Sequence, residues 1–218
     1  MSSIKVLGID LGKSSFHVIG RDGSDTPIFR KKFTRSGLLS YLQQLPRCLI
    51  AFEACGGAHW LGRKCESLGH EVKLIPPQYV KPYVKSNKND FIDAEAICEA
   101  ASRPGMRFVS IKSEQAQVIS AIHKTRHGYV KERTACMSRI GALVLEFGMS
   151  LPTGHSTMKK LFNWLAQQKT SLPLLLMQEL VELHEHYLRL NERIEHQDNK
   201  LKQLVANDPI GQLLKTIP

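Results

Sequence analysis

The chain has 218 residues, of which 42% are apolar, and this length and composition suit one or two globular domains. Its 30 lysines and arginines outnumber its 20 acidic residues, so the formal net charge of +10 favours a polyanionic partner. No apolar run approaches the roughly 20 residues that span a bilayer, and no secretory leader precedes the first predicted strand, so we expect a cytoplasmic protein without a membrane partner.

The first predicted element is a buried strand that ends in a charged residue. Val6, Leu7 and Ile9 form a short apolar run bounded by glycines, which is typical of a strand, and Asp10 follows at its end. An unpaired carboxylate beside an apolar strand is energetically unfavourable. Asp10 is therefore either a turn cap or a carboxylate with a function.

The following segments predict a three-stranded antiparallel meander and then alternating helices and strands. Turn residues separate the apolar runs, and glycine or proline ends several of them. In chain order the predicted elements are strands at 15–21 and 28–33, a helix that ends at Gln44, a strand at 49–53, a helix at 57–68 and a strand at 71–75.

Three further carboxylates suggest a metal site. Glu53 ends an apolar strand, as Asp10 does, and Asp90 and Asp93 are spaced to share one face of a helix. Carboxylates that meet at one point repel each other unless a cation balances them. Mg²⁺ prefers oxygen ligands, so we expect Mg²⁺ if these four acids converge.

A basic stretch with interleaved tyrosines precedes the aspartate pair. Lysines at such a place can hold phosphates, and tyrosines can stack on bases, although a solvated loop has the same composition. Lys13, beside Asp10, can reach a phosphate or lie in a solvated turn. The candidate nucleic-acid-binding residues are Lys13, Lys81, Tyr83, Lys85 and Lys88.

The second half of the sequence predicts two long helices. From about Ser113 to Phe147, apolar residues recur in steps of three and four, and Pro152 begins a break. A second series follows a heptad pattern, which is typical of a coiled coil. Its members are Leu180, Leu183, Tyr187, Leu190, Ile194, Gln197, Leu201 and Leu204.

Three short motifs carry a resemblance to a known family. They are Gly-Ile-Asp at 8–10, Phe-Glu-Ala at 52–54 and Lys-Asn-Asp-Phe-Ile-Asp-Ala at 88–94. In order and spacing the chain resembles the DEDD-type insertion-sequence transposases, the family that includes the Piv DNA invertase. The resemblance covers the whole chain, and the motif around the aspartate pair is its most specific part.

The resemblance implies a fold and a domain order. Residues 1–110 would form an α/β RNase H-like (RuvC-like) domain with a mixed five-stranded sheet, which brings the ends of the first and fourth strands together. Residues 111–207 would form a long α-helical antiparallel coiled-coil arm. Residues 208–218 would begin a C-terminal transposase domain that is truncated here.

The resemblance also implies a site and partners. Asp10, Glu53, Asp90 and Asp93 would be catalytic and would bind Mg²⁺, assisting a serine from the C-terminal domain in cleavage and exchange of DNA strands. The implied partners are DNA, a structured guide RNA and further copies of the chain, as a dimer or tetramer formed through the coiled coil. The chain alone would then be inactive as a recombinase.

Other functions fit part of the sequence. A stand-alone Holliday-junction resolvase shares the fold and the acids and needs no serine, and a non-catalytic nucleic-acid-binding and assembly module could retain the acids. The glycine-rich turn at 8–14 is one residue short of a P-loop, which disfavours nucleotide hydrolysis. Five irregularly spaced cysteines indicate free thiols and not a zinc site.

Overall fold

The computed structural model describes residues 3–85, 89–168 and 172–206, and the chain divides into two compact units between Glu114 and Gln115. The strands predicted after the first turn are present, each within one residue of its predicted bounds. The elements of the first unit are β1 (Val6–Leu11), β2 (Ser15–Arg21), β3 (Pro27–Thr34), α1 (Arg35–Gln44), β4 (Leu49–Glu53), α2 (Ala58–Ser67), β5 (Glu71–Ile75), α3 (Pro77–Val80), a 3₁₀ turn (Lys81–Tyr83) and α4 (Asp90–Ser102).

The first unit contains a mixed five-stranded sheet. Its strand order is β3-β2-β1-β4-β5, with β1, β2 and β3 antiparallel and with β4 and β5 parallel to β1. The parallel strands are joined by helical crossovers, as parallel pairing requires. This α/β arrangement is compatible with the RNase H-like fold, and it makes β1 and β4 neighbours at the centre of the sheet.

The two faces of β1 pack against different helices, because successive side chains of a strand point to opposite sides. Leu7 and Ile9 are fully buried in the apolar cluster that includes residues of α1 and α2. Gly8 faces α4, and a Cβ atom on it would lie 2.5 Å from both the Ala94 carbonyl oxygen and the Cys98 sulfur. Helix α4 therefore rests directly on the backbone of β1.

The second unit is helical. In chain order it contains a long helix, α5 (Glu114–Leu145), two short helices, α6 (His155–Lys159) and α7 (Leu161–Ala166), and a second long helix, α8 (Leu174–Ala206). The long helices run antiparallel, since Arg126 pairs with Asp198 near one end, and Arg133 Nη1 donates to Asn191 Oδ1 over 2.9 Å further along. The buried residues of the predicted heptad series on α8 are Leu180, Tyr187, Leu190 and Ile194.

Helix α5 ends earlier than its apolar pattern predicts. The chain turns at Gly148, which has a φ of 75°, and the Met149 amide donates to the Val144 carbonyl over 3.2 Å. Val144 is consequently buried, whereas Phe147 is 40% exposed. Within the residues that the structure describes, no helix has the length and apolar character to cross a bilayer. The coiled-coil geometry stays a prediction, and residues 208–218 lie outside the described part.

Candidate metal centre

The β1–β2 hairpin places Asp10 opposite a histidine. The antiparallel register pairs Asp10 with His17, and both side chains face α4. His17 Nδ1 lies 3.8 Å from Asp10 Oδ2, and the His17 side chain is only 7% exposed. One strand end therefore combines a carboxylate and a buried imidazole.

Glu53 comes to the same edge of the sheet from the neighbouring strand. The parallel register pairs Ile9 with Phe52, so Asp10 and Glu53 follow at the carboxyl ends of adjacent strands. Phe52 packs in the apolar cluster with Leu7 and Ile9 on one face of the sheet, so the next residue points to the face that carries α4. Burial raises the pKa of Glu53, and the Asp10 and Asp93 carboxylates raise it further.

The first turn of α4 supplies the other two predicted acids. The Asn89 side chain caps this helix by accepting a hydrogen bond from the Phe91 amide over 3.1 Å. Asp90 and Asp93 follow in the first turn, where the helix dipole favours negative charge. Asp90 Oδ2 lies 3.4 Å from His17 Nδ1, so the imidazole stands between the carboxylates of β1 and α4.

The electrostatics of the cluster indicate a shortage of positive charge. Burial raises the pKa of Asp10, the nearby Asp93 and Asp90 carboxylates raise it further, and His17 acts in the opposite direction. The Asp10 carboxylate also adds to the effect of burial in raising the pKa of Glu53. A divalent cation would relieve this repulsion.

The donor atoms also fit such a cation. One ligand atom each of Asp10, His17 and Asp90 lies within 4.8 Å of the other two. Glu53 and Asp93 are outside this group of three, although the Asp93 carboxylate is among the causes that raise the pKa of Asp10 and of Glu53. Carboxylate oxygens suit Mg²⁺ and Mn²⁺, so the residues present are compatible with either ion.

Sequence reasoning missed His17, although the sequence contains a signal for it. The Gly12 amide donates to the Ser15 carbonyl over 3.0 Å and closes a tight hairpin. Counting outward from that turn pairs Leu11 with Phe16 and then Asp10 with His17. The register of the hairpin, and not a motif, identifies this residue.

The predicted nucleic-acid-binding residues lie at several places. Lys13 is exposed in the β1–β2 turn, and Lys81 is exposed in the 3₁₀ turn. Tyr83 is half-buried against an apolar cluster that includes residues of α4, and Lys85 Nζ lies 3.7 Å from Glu95 Oε1. Lys88 lies outside the described residues.

Two basic residues beside the acids were not predicted. Lys32 of β3 pairs with His17 across the strands, and Arg30 pairs with Ile19, so both side chains lie on the α4 face of the sheet. The Arg30 guanidinium lies 4.3 Å from the centre of the Phe91 ring, next to Asp90. Both basic side chains are exposed. We call Arg30 and Lys32 the β3 basic pair.

Comparison with known proteins identifies relatives for the whole chain. Residues 7–149 match the family model of DEDD transposases of the IS110 type. The transposase for insertion sequence element IS1328 of Yersinia enterocolitica is 45% identical over 218 residues, which are all of this chain and 65% of that protein. A probable family 20 transposase of Pseudomonas aeruginosa is 40% identical over 97% of this chain and 63% of its own length.

A third relative is also a transposase. The transposase for insertion sequence element IS1111A of Coxiella burnetii is 37% identical over 220 residues, which cover 100% of this chain and 60% of that protein. The chain thus spans 65%, 63% and 60% of the lengths of these three relatives. The family match covers well over half of the chain, and the chain belongs to the IS110-type family of DEDD transposases.

Proposed function

We propose that this chain is the metal-binding part of a DNA transposase, in which Asp10, Glu53, Asp90 and Asp93 hold a divalent ion, Mg²⁺ or Mn²⁺, at the DNA backbone. The observation that carries the proposal is the position of these acids at one edge of the sheet. Asp10 and Glu53 follow paired residues of β1 and β4, and the first turn of α4, which carries Asp90 and Asp93, brings Asp90 Oδ2 to 3.4 Å from the same His17 nitrogen that lies 3.8 Å from Asp10 Oδ2. When bound, such an ion would help to activate the attacking oxygen and stabilise the leaving oxygen of a phosphodiester.

The protein's own contribution is to fix the acids in place. Asp10 and Glu53 end central strands of the sheet, and α4 brings Asp90 and Asp93 to them because Gly8 lets the helix rest on β1. Ligands on strands and helices are held more firmly than ligands on loops. The site would therefore be formed before the DNA binds.

The resemblance to the Piv-related transposases supports finer proposals about the whole protein. We propose a composite site, in which the acids and the ion assist a serine of a C-terminal domain, and a structured guide RNA that selects the target. The net charge of +10 supports binding of either nucleic acid, since phosphate neutralisation does not distinguish DNA from RNA.

Self-association through α8 is a further part of the proposal. Leu174, Val181 and Leu188 recur every seven residues on α8 and are 75%, 41% and 39% exposed. They form a stripe separate from the buried heptad series. A second helix of the same kind could cover this stripe in a coiled coil, which supports a homodimer or tetramer.

The β3 basic pair is expected to hold nucleic-acid phosphates beside the acids. The double variant Arg30→Gln with Lys32→Gln should weaken duplex binding about tenfold at moderate salt and reduce the slope of log K against log salt by about 1 to 2. Fluorescence anisotropy at several salt concentrations measures both quantities.

The control for this double variant is Arg47→Gln with Lys64→Gln, which removes the same number of positive charges. Arg47 is exposed before β4, at the end of that strand away from Glu53. Lys64 is exposed on α2, whose buried residues pack against the opposite face of the sheet. The control variant should change the duplex affinity and the slope of log K against log salt much less than the variant of the β3 basic pair does. Equal effects of the two variants would show that the basic pair contributes only to overall charge.

A stand-alone resolvase is the second candidate, and it is favoured because the group of side chains that could hold an ion comes wholly from this chain. A four-way DNA junction with Mg²⁺ or Mn²⁺ separates the two functions. The transposase proposal predicts that the chain binds the junction without paired cuts. Paired cuts at symmetric positions in opposing strands would contradict it and favour the resolvase.

A further inference from the structure

We propose that His17 is itself a ligand of the divalent ion, which makes the centre a mixed nitrogen and oxygen site that prefers Mn²⁺ to Mg²⁺. The inference rests on the proposed function only in requiring that the acids bind a divalent ion. It adds a residue from β2 to the four acids that the sequence motifs indicate.

The distances at His17 place its Nδ1 among the carboxylate oxygens at a spacing that one ion can bridge. His17 Nδ1 lies 3.4 Å from Asp90 Oδ2 and 3.8 Å from Asp10 Oδ2. Both distances are longer than the usual range of about 2.7 to 3.2 Å for a hydrogen bond from nitrogen to oxygen, and both lie within ion-pair distance. Ligand atoms that each lie about 2.1 Å from one ion are about 3.0 Å apart at a right angle and about 4.2 Å apart when opposed. Both observed distances fall within that interval.

The imidazole is also held in position. His17 is 7% exposed, in the second strand of the sheet, between β1 and β3. The Phe91 ring meets it edge-on, with the ring centres 4.8 Å apart and the planes at 73°. Nδ1 is within 4 Å of both carboxylates in this packed arrangement, so no large movement is needed for it to bind the same ion.

An imidazole ligand changes which ion is favoured. Carboxylates alone suit Mg²⁺ and Mn²⁺ alike, whereas imidazole nitrogen favours transition metals. Mg²⁺ also retains its water ligands more strongly. His17 should therefore add to the Mn²⁺ affinity and contribute little to the Mg²⁺ affinity.

Electron spin-echo measurements on the Mn²⁺-loaded chain test the proposal directly. A coordinated imidazole gives a ¹⁴N coupling to Mn²⁺, which should be present in the unaltered chain and should change when histidine is labelled with ¹⁵N. The coupling should disappear in His17→Phe, which keeps an aromatic ring against Phe91 but has no nitrogen. Absence of the coupling from the unaltered chain would overturn the inference even if that variant does not fold.

Calorimetric titrations with MnCl₂ and with MgCl₂ measure the affinity of the unaltered chain and of each variant for the two ions. His17→Phe should weaken Mn²⁺ binding about tenfold or more and should change Mg²⁺ binding much less. Even residues that only support a metal ligand contribute about tenfold to metal affinity, so the loss of a ligand should cost at least as much. Equal losses for the two ions would overturn the inference. Asp10→Asn should weaken the binding of both ions.

The possible results separate this inference from the proposed function. Mn²⁺ binding that Asp10→Asn removes, with no ¹⁴N coupling, would overturn the role of His17 and leave the acidic centre in place. Binding of Mn²⁺ that is unaffected by Asp10→Asn would overturn the acidic centre and the role of His17 together.

Discussion

Replacing Asp10 by asparagine is expected to abolish transposition by the full-length protein while the fold stays intact. Asp10 lies close to the other acids, since burial raises its pKa and the Asp93 and Asp90 carboxylates raise it further. Loss of its charge should remove several kcal/mol of stabilisation from the reacting phosphate, which corresponds to about a thousandfold in rate. Transposition of a marked element in cells measures the loss, and transposition at the normal rate would contradict the site.

The same variant should be more stable than the unaltered protein when metal is absent. Burial and two neighbouring carboxylates disfavour the ionised form of Asp10, and asparagine removes that repulsion. Thermal unfolding should show a higher Tm for Asp10→Asn than for the unaltered protein without metal. Mn²⁺ should raise the Tm of the unaltered protein but not that of Asp10→Asn. Glu66→Gln, at an exposed position of α2, is the control and should leave the response to Mn²⁺ unchanged.

Replacing Gly8 by alanine is expected to destabilise the first unit strongly and to disturb the acidic cluster. The added Cβ would lie 2.5 Å from the Ala94 carbonyl oxygen. This oxygen belongs to the backbone of α4, so it cannot rotate away as a side chain could. Either β1 or α4 must shift, and changes of this kind cost about 1 to 3 kcal/mol or more. Movement of α4 would also carry Asp90 and Asp93 away from Asp10.

Urea unfolding and Mn²⁺ titration measure these two effects. Gly128→Ala in α5 is the matched control, because a Cβ at Gly128 would meet no atom within 4 Å. That variant should gain about 0.5 to 1 kcal/mol, since alanine favours helix more than glycine does. A Gly8→Ala protein that unfolds at the same urea concentration as the unaltered protein would show that β1 and α4 are not in close contact.

The strands of the first unit could be predicted from local patterns. The segment from Leu49 to Glu53 is apolar except at its last residue, and the segment from Glu71 to Ile75 is stopped by prolines, so their bounds follow from composition. That β4 lies beside β1 was not predicted from any pattern. It came from the resemblance to a known family, because strand order depends on contacts between distant parts of the chain.

The residues that sequence reasoning missed depend on register and on packing across the sheet. His17 and Lys32 become neighbours only when β1, β2 and β3 are aligned. Arg21 is buried, and its guanidinium bonds to Asp25 over 2.9 Å and to Glu95 over 3.3 Å. Nothing local in the sequence shows that this arginine is covered by α4.

The apolar series of α5 shows a different limit. The series continues to Phe147, but Gly148 has a positive φ and the helix ends at Leu145. A glycine outweighs the pattern here because it stabilises the turn that closes the helix. The two arginines in the series, Arg126 and Arg133, do not interrupt the packing, since Asp198 and Asn191 of α8 face them.

Anomalous diffraction from crystals of the chain soaked in MnCl₂ tests the acidic centre most directly. A divalent-ion site held by the four acids of β1, β4 and α4 predicts a strong manganese peak next to Asp10, and the peak should be lost in Asp10→Asn. Manganese bound only elsewhere, or Asp90 and Asp93 on the side of the sheet away from Asp10, would contradict it.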